Sequence, residues 1–352
     1  NTVTRARGVH RQMLSRLKNR YYREAMDNPA EAVGSLEEVE FPLRDGMDEI
    51  PFKLRAEEPA AAKEMPDLEN GYDFDVLSLD VFDTALRRRC HHPKDVFKLL
   101  EERAVRECGL KPRPYALARE RAEALAREIQ PEGASPEATL DEIYKELTSL
   151  CKLSKQDAVA LKNLELTIEK ELLYADPRWI DAVSKLGKSG KRIVFVSDMY
   201  LDAETIAGFL SGCGFTDPEV YSSCDYRSSK HDGILQELVR KKLDVDAGRI
   251  LHVGDNFHSD YIKTIHAGWQ AIFWSPDFNY SPMYAQVDPF IHSRWDLLSA
   301  RLMGEVERIG LIDQKADTGL IERLGREVAG PLYLCYLKWV LKQAREDGIK
   351  HL

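Results

Sequence analysis

Four short apolar runs punctuate the middle of the chain: Val76-Leu77-Ser78-Leu79, Arg192 to Val196, Arg249 to Val253 and Trp269 to Trp274. Each has the length of a buried strand. A weaker run covers Pro218 to Ser222. Between the runs, apolar residues return at helical spacing. Ala203 to Leu210 does so behind Asp202 as an N-cap, and so do Ile234, Leu235, Leu238 and Val239. Strands alternating with helices predict an α/β fold, a Rossmann-like, mostly parallel sheet with helices on both faces.

One interval breaks the rhythm. From Pro93 to about Pro177 the pattern predicts helix alone. Pro93 suits a first helical turn ahead of Val96, Phe97, Leu99 and Leu100. Arg119 to Ile129 is rich in Ala, Glu and Arg, and Leu140 to Leu147 and Leu161 to Leu173 complete about four helices. This all-helical insert falls between the first and second strands.

The flanks differ in texture. Residues 1–27 read as a basic amphipathic helix, with Val9, Met13, Leu14, Leu17 and Tyr21 on one face and seven Arg or Lys against two acids. Its simpler role is to connect and pack on a neighbouring domain; its sharper role is to lie on an anionic membrane edge. Residues 28–70 are acidic and interrupted by Pro29, Pro42, Pro51, Pro59 and Pro66, as a linker would be. Near the other end, Leu332, Leu334, Leu337, Trp339 and Val340 predict an apolar helix packed on the core or on a further domain. The resulting units are 1–72 (helix and linker), 73–90 with 178–290 (α/β core), 91–177 (helical insert) and 291–352 (helical extension).

Composition narrows the function. Among 352 residues the net charge is −9, which disfavours nucleic acid as a partner. No apolar run approaches the ~18 residues of a membrane span. The six cysteines form no CxxC pair and no zinc spacing, as expected of buried thiols in a reducing compartment. A cytoplasmic protein is expected, at most peripheral to the inner membrane face. The chain lacks an initiator Met and stops in charged, helix-like sequence, so fused domains beyond its ends are expected.

Ligands of open α/β sheets sit beyond the carboxyl ends of the strands. Asp80-Val81-Phe82-Asp83-Thr84 follows the first strand, Ser197-Asp198-Met199-Tyr200 the second and, with the weaker run counted as the third in chain order, Gly254-Asp255 through Asp260 the fourth. Lys230 stands ahead of the helix before the fourth. Clustered carboxylates repel unless a cation joins them, and a hard divalent cation suits oxygen ligands. One carboxylate could then attack phosphorus while a hydroxyl and an ammonium hold the phosphoryl oxygens.

In this order the motifs resemble the haloacid dehalogenase-like (HAD) superfamily, over roughly residues 73–276. The resemblance implies Mg²⁺ as cofactor and a phosphatase reaction through an aspartyl phosphate. Asp80 takes the nucleophile position, with Ser197 and Lys230 in the second and third motifs. Asp80, the Phe82 carbonyl and Asp255 become metal ligands, Asp260 supports them, and Thr84, Ser197 and Lys230 contact substrate. The insert falls where the family's C1 cap lies. Ser197 to Leu201 and His252 to Asn256 are further similar to HAD modules of bacterial surface-polysaccharide proteins, often fused to glycosyltransferase domains. A sugar or glycan phosphate is the substrate that likeness implies.

The sequence departs from the family at one position. Where its phosphatases carry a second Asp that protonates the leaving group, this chain has Phe82. General acid–base help is typically worth about 10²–10⁴ in rate. Asp83 is one residue further along and is expected to point elsewhere; His91, His92, Tyr200 and His258 are nearby proton donors by sequence. Two alternatives therefore stand beside the phosphatase: a weakly active or inactive ligand-binding scaffold, and a metal-independent dehalogenase-like hydrolase. Arg87-Arg88-Arg89 reads as a solvated charge run or a grip for a second acidic group.

Overall fold

The computed structural model describes residues 62, 64–90, 92–129, 136–274, 308 and 320–349. The basic helix read over 1–27, and the linker up to residue 61, lie outside the described residues, as does His91.

The core is a five-stranded, all-parallel sheet in the order β5-β4-β1-β6-β7. Its strands are β1 (Val76–Leu79), β4 (Arg192–Ser197), β5 (Glu219–Ser222), β6 (Ile250–Gly254) and β7 (Gln270–Phe273). They coincide with the apolar runs, the weak one included. β1 is central and buried along its whole length, which is why it reads as a continuous apolar run rather than an alternating one. Leu79 pairs with Phe195 of β4 and Val253 of β6, so the carboxyl ends of these three strands emerge side by side.

Two short strands have no counterpart in the sequence pattern. β2 (Leu86–Arg88) and β3 (Leu173–Ala175) pair antiparallel and enclose the insert. The interval from Pro93 to Pro177 is thus not helix alone. Three residues are too few for a period to show, and the sequence that supplies β2 looks like a charge run. Between these strands lie α1 (Asp95–Cys108), α2 (Tyr115–Glu128), α3 (Leu140–Cys151) and α4 (Lys155–Leu172). Helix α2 packs on α3 and α1 on α4. Thr139 and Glu142 form a reciprocal capping box on α3, and Ser154 caps α4. Outside the insert are α5 (Pro177–Lys188), α6 (Ala203–Gly212, capped by Asp202 as expected) and α7 (Ile234–Leu243).

The insert is held by buried ions as well as apolar side chains. Arg119 of α2 is fully buried and donates to both oxygens of Glu165 on α4 at 2.9–3.1 Å, and to Glu123 at 3.2 Å. Tyr144 of α3 donates to the same Glu165 at 2.7 Å. Arg88 of β2 makes a two-bond pair with Glu169 of α4, at 2.9 and 3.2 Å. The reading of residues 87–89 as a solvated run is therefore corrected for Arg87 and Arg88, which are buried. The sequence did carry a signal: Glu165 and Glu169 fall on the apolar stripe of α4, beside Leu161, Leu164, Ile168 and Leu172.

Near the carboxyl end, α8 (Gly330–Glu346) is helical as expected. Leu332, Leu334, Leu337 and Trp339 are exposed, at 64, 48, 52 and 58%. The expectation that they pack on the core fails among the described residues: the apolar side chains run around the helix rather than along one stripe.

Replacing Arg119 by Met leaves Glu165 buried without its cation. The expected loss is about 3–5 kcal/mol, read by urea unfolding, and much of it should return in the double variant with Glu165→Met.

Candidate active site

The site begins with the turn after β1. Asp80 follows the last residue of the strand, and its N–H donates to the Val253 carbonyl at 2.9 Å. The chain then doubles back: Leu86 N–H donates to Val81 O at 2.7 Å and Asp83 N–H to Leu86 O at 2.8 Å. Asp83 takes a left-handed conformation, φ 61°, which Asp tolerates better than most residues. This loop leads directly into β2 and so joins Asp80 to the insert.

Lys230 supplies the cation at the bottom of the site. Its buried Nζ contacts Asp80 Oδ1 and lies 2.7 Å from Asp260 Oδ1. Burial alone would favour the neutral amine, but Asp260, Asp80 and Asp198 together hold it as ammonium and raise its pKa. Asp198 acts on the backbone as well: its oxygens accept from Lys230 N–H at 2.7 Å and His231 N–H at 3.1 Å. The residue after Ser197 therefore fixes the loop that carries Lys230.

Asp260 is held on all sides. It lies 3.2 Å from His252 Nε2 and accepts from the Asn256 N–H at 2.9 Å. Burial pushes its pKa up, yet Lys230 and His252 prevail and keep it ionised. His252 Nδ1 is in turn 2.8 Å from Ser78 Oγ, its neighbour across β1 and β6. Burial lowers the imidazole pKa, against the pull of Asp260. Gly254 is required here, because a Cβ at that position would sit 2.4 Å from Asp260 Oδ2.

Asp80, Asp255 and Asp260 bring carboxylate oxygens within 4.8 Å of one another. Burial raises the Asp80 pKa well above the ordinary value; Lys230 opposes, and Asp260 and Asp255 add to the rise. Asp255 is pushed up to about 7 by burial, then by Asp83 and Asp260. One ammonium does not balance this many carboxylates, and a divalent cation would. The donor set therefore fits a hard cation held by Asp80 and Asp255, with Asp260 fixed behind them by protein partners.

A cavity of about 540 Å³ opens above the cluster. Asp80, Phe82, Ser197, Lys230, Asp255 and Asp260 all line it. Thr84 is placed differently from its expected substrate contact: it is fully buried, and its hydroxyl donates to Asp255 Oδ1 at 3.4 Å. The Phe82 ring lies under the Arg88 guanidinium, 4.6 Å away. Tyr200 lines the cavity with Arg119 against its ring at 4.6 Å, whereas His92 and His258 are exposed and outside the lining. The sequence pattern names Asp198, His252 and Ser78 but assigns none of them a role; for the last two there was a signal. The available signal was a pair of polar residues in two otherwise apolar strands.

The Asp255 shift fixes a pH dependence. With its pKa raised in the folded state, Asp255 keeps a proton that the unfolded chain has lost, so its contribution to stability falls as pH rises from about 4 toward 7. Without divalent cation, Asp255→Asn should flatten that slope in thermal unfolding. Added divalent cation competes with the proton and should stabilise the native chain more at pH 8 than at pH 5.5.

No family model matches the chain, and no curated protein does. Solved structures do. A 2-haloacid dehalogenase from Pseudomonas syringae pv. Tomato DC3000 is 18% identical, covering 63% of this chain and all of that one, with a TM-score of 0.40. A HAD family enzyme from Bacteroides thetaiotaomicron is 11% identical, covering 60% and 98%, with a TM-score of 0.40. A predicted phosphoglycolate phosphatase from Haemophilus somnus 129pt is 15% identical, covering 56% and 84%, with a TM-score of 0.36. The chain's own topology is a parallel β5-β4-β1-β6-β7 sheet with a helical insert between β2 and β3, and the segments that carry Asp80, Ser197, Lys230 and Asp255 meet at one rim.

Proposed function

We propose that the protein is a Mg²⁺-dependent phosphohydrolase acting through an aspartyl phosphate on Asp80. The observation that supports this most is the convergence of Asp80, Asp255 and Asp260 within 4.8 Å beside the Lys230 ammonium, at the floor of an open cavity. Mg²⁺, held by Asp80, Asp255 and the Phe82 carbonyl with Asp260 in support, would neutralise phosphoryl charge and bring the phosphate to the carboxylates.

The chain's own groups carry the remaining steps. Asp80 attacks phosphorus, the bond to the ester oxygen breaks, and water then cleaves the acyl phosphate to release inorganic phosphate and restore Asp80. Lys230 offsets negative charge at the attacking carboxylate and the phosphoryl oxygens. Ser197, at the end of β4, offers its hydroxyl to one of those oxygens. Asp198 keeps Lys230 in place through two backbone N–H groups. Phe82 moves no proton, so the alkoxide takes its proton from water or leaves as a good leaving group. The resemblance of the second and fourth motifs supports a sugar or glycan phosphate as substrate, in surface-polysaccharide synthesis.

A second reading rests on one observation. Lys230 already bridges Asp80 and Asp260, so the pocket has a cation of its own, and a metal-independent dehalogenase-like attack by Asp80 on carbon would be served by it. Halide release from a 2-haloacid in the presence of chelator would select that reading.

For the phosphohydrolase, release of phosphate from an aryl phosphate should require Mg²⁺ and fall at least about 10³-fold in Asp80→Asn, a nucleophile loss no other group can cover. An intact Mg²⁺-binding protein inert on a broad phosphate panel would instead make the module a scaffold. Phe82→Asp should raise turnover of alkyl phosphates by about 10²-fold, and of the aryl ester much less, since a phenolate needs little acid.

A further inference from the structure

The half of the cavity facing the insert is lined by three cations, and each is matched to a carboxylate. Lys94 pairs with Glu120 at 2.6 Å, Arg127 with Glu123 at 3.1 Å, and Arg88 with Glu169 at 2.9 Å. Arg127 is further engaged by the Pro136 carbonyl at 3.0 Å and Glu137 at 3.5 Å. At the other pole, Lys230 is committed to Asp80 and Asp260. Counted over the described lining, eight acids face four bases.

From this we infer that the pocket takes a monophosphate whose organic part is uncharged and rich in hydroxyls, with Glu120 and Glu123 as the residues that refuse a second anionic group. The inference rests on the phosphohydrolase reading and deepens it. A divalent cation would balance the phosphoryl group at the carboxylate pole. A second phosphate or carboxylate on the substrate would then meet cations already neutralised, and carboxylates beside them at repelling distance. A hydroxyl meets the opposite situation. A carboxylate offers about four acceptor sites; Lys94 takes one on Glu120, and Arg127 with Arg119 takes three on Glu123, so each can still accept from an O–H donor. The volume is that of an ordinary small-molecule site, which spans about 300–1,000 Å³. Refusal by charge, rather than by size, is therefore the selective element. The Arg87-Arg88-Arg89 run does not provide the opposite preference, because Arg88 is held by Glu169, Arg87 lies 3.9 Å from Asp176, and Arg89 does not line the cavity.

The test compares a hexose monophosphate with the corresponding hexose bisphosphate, on the full chain with Mg²⁺. The wild type should favour the monophosphate at least tenfold in kcat/KM, and Glu123→Gln and Glu120→Gln should each narrow that ratio at least threefold by removing a carboxylate charge beside Arg127 or Lys94. Equal or better use of the bisphosphate by the wild type, or a ratio unmoved in both variants, overturns the inference. Neither substitution is expected to unfold the chain, since Lys94 and Glu120 are exposed and Glu123 is in part; circular dichroism checks this. If the aryl phosphate is not hydrolysed, it is the phosphohydrolase reading that fails. Calorimetric binding of the same two sugars then decides the inference: tighter monophosphate binding supports it, and equal or reversed preference, or binding of neither, overturns it.

Discussion

The site depends on one buried ammonium. Lys230 lies between Asp80 and Asp260 with almost no exposure, and without it the carboxylates at the sheet's rim would share one desolvated pocket with nothing to balance them. Its influence is uneven. Asp260, which also has His252 and the Asn256 N–H, stays ionised, whereas Asp80 and Asp255 are pushed toward the protonated form. That residual imbalance is the physical reason the pocket is suited to a further cation. The same groups also order the backbone: Asp198 holds the Lys230 loop, Asp260 closes over Gly254, and Thr84 steadies Asp255.

The insert follows a similar rule on a larger scale. Its helices are tied by Arg119 with Glu165 and Arg88 with Glu169, both pairs buried and each with two bonds or more. Such pairs contribute less to net stability than apolar packing of equal size, because desolvation offsets their attraction. They do fix geometry, since a guanidinium matched to a carboxylate tolerates little rotation. Arg88 is the link that matters for the site: one face of its guanidinium covers Phe82, and its nitrogens reach α4, so the loop beside Asp80 and the insert share one side chain.

The insert also reaches the core at the far side of the cavity. Arg227, after β5, makes two 2.8 Å bonds to Glu142 of α3, and Leu140 N–H donates to the Tyr200 carbonyl at 2.8 Å. Ser223 donates to Glu137 and accepts from the Met199 N–H, two residues beyond Ser197. Contacts to the insert and to the loop after β4 thus pass through the same hydroxyl.

The sequence by itself determined the strands, the helical insert and the set of residues at the rim. Buried parallel strands must be continuous apolar runs, and whatever follows them must emerge at one edge, so Asp80, Ser197 and Asp255 could be brought together on paper. It did not show β2 and β3, which are too short to carry a period, nor that Arg88 and Arg119 would be interior. A charged residue advertises solvent until its partner is known, and Glu165 and Glu169 lie 46 and 81 residues away from theirs. Thr84 was misplaced for a related reason, because the direction of a hydroxyl within a tight turn is decided by the turn's own hydrogen bonds. What only the tertiary structure decided, then, was the pairing of charges: local pattern fixes which residues are apolar enough to bury, while long-range contact alone fixes which ions can afford to join them.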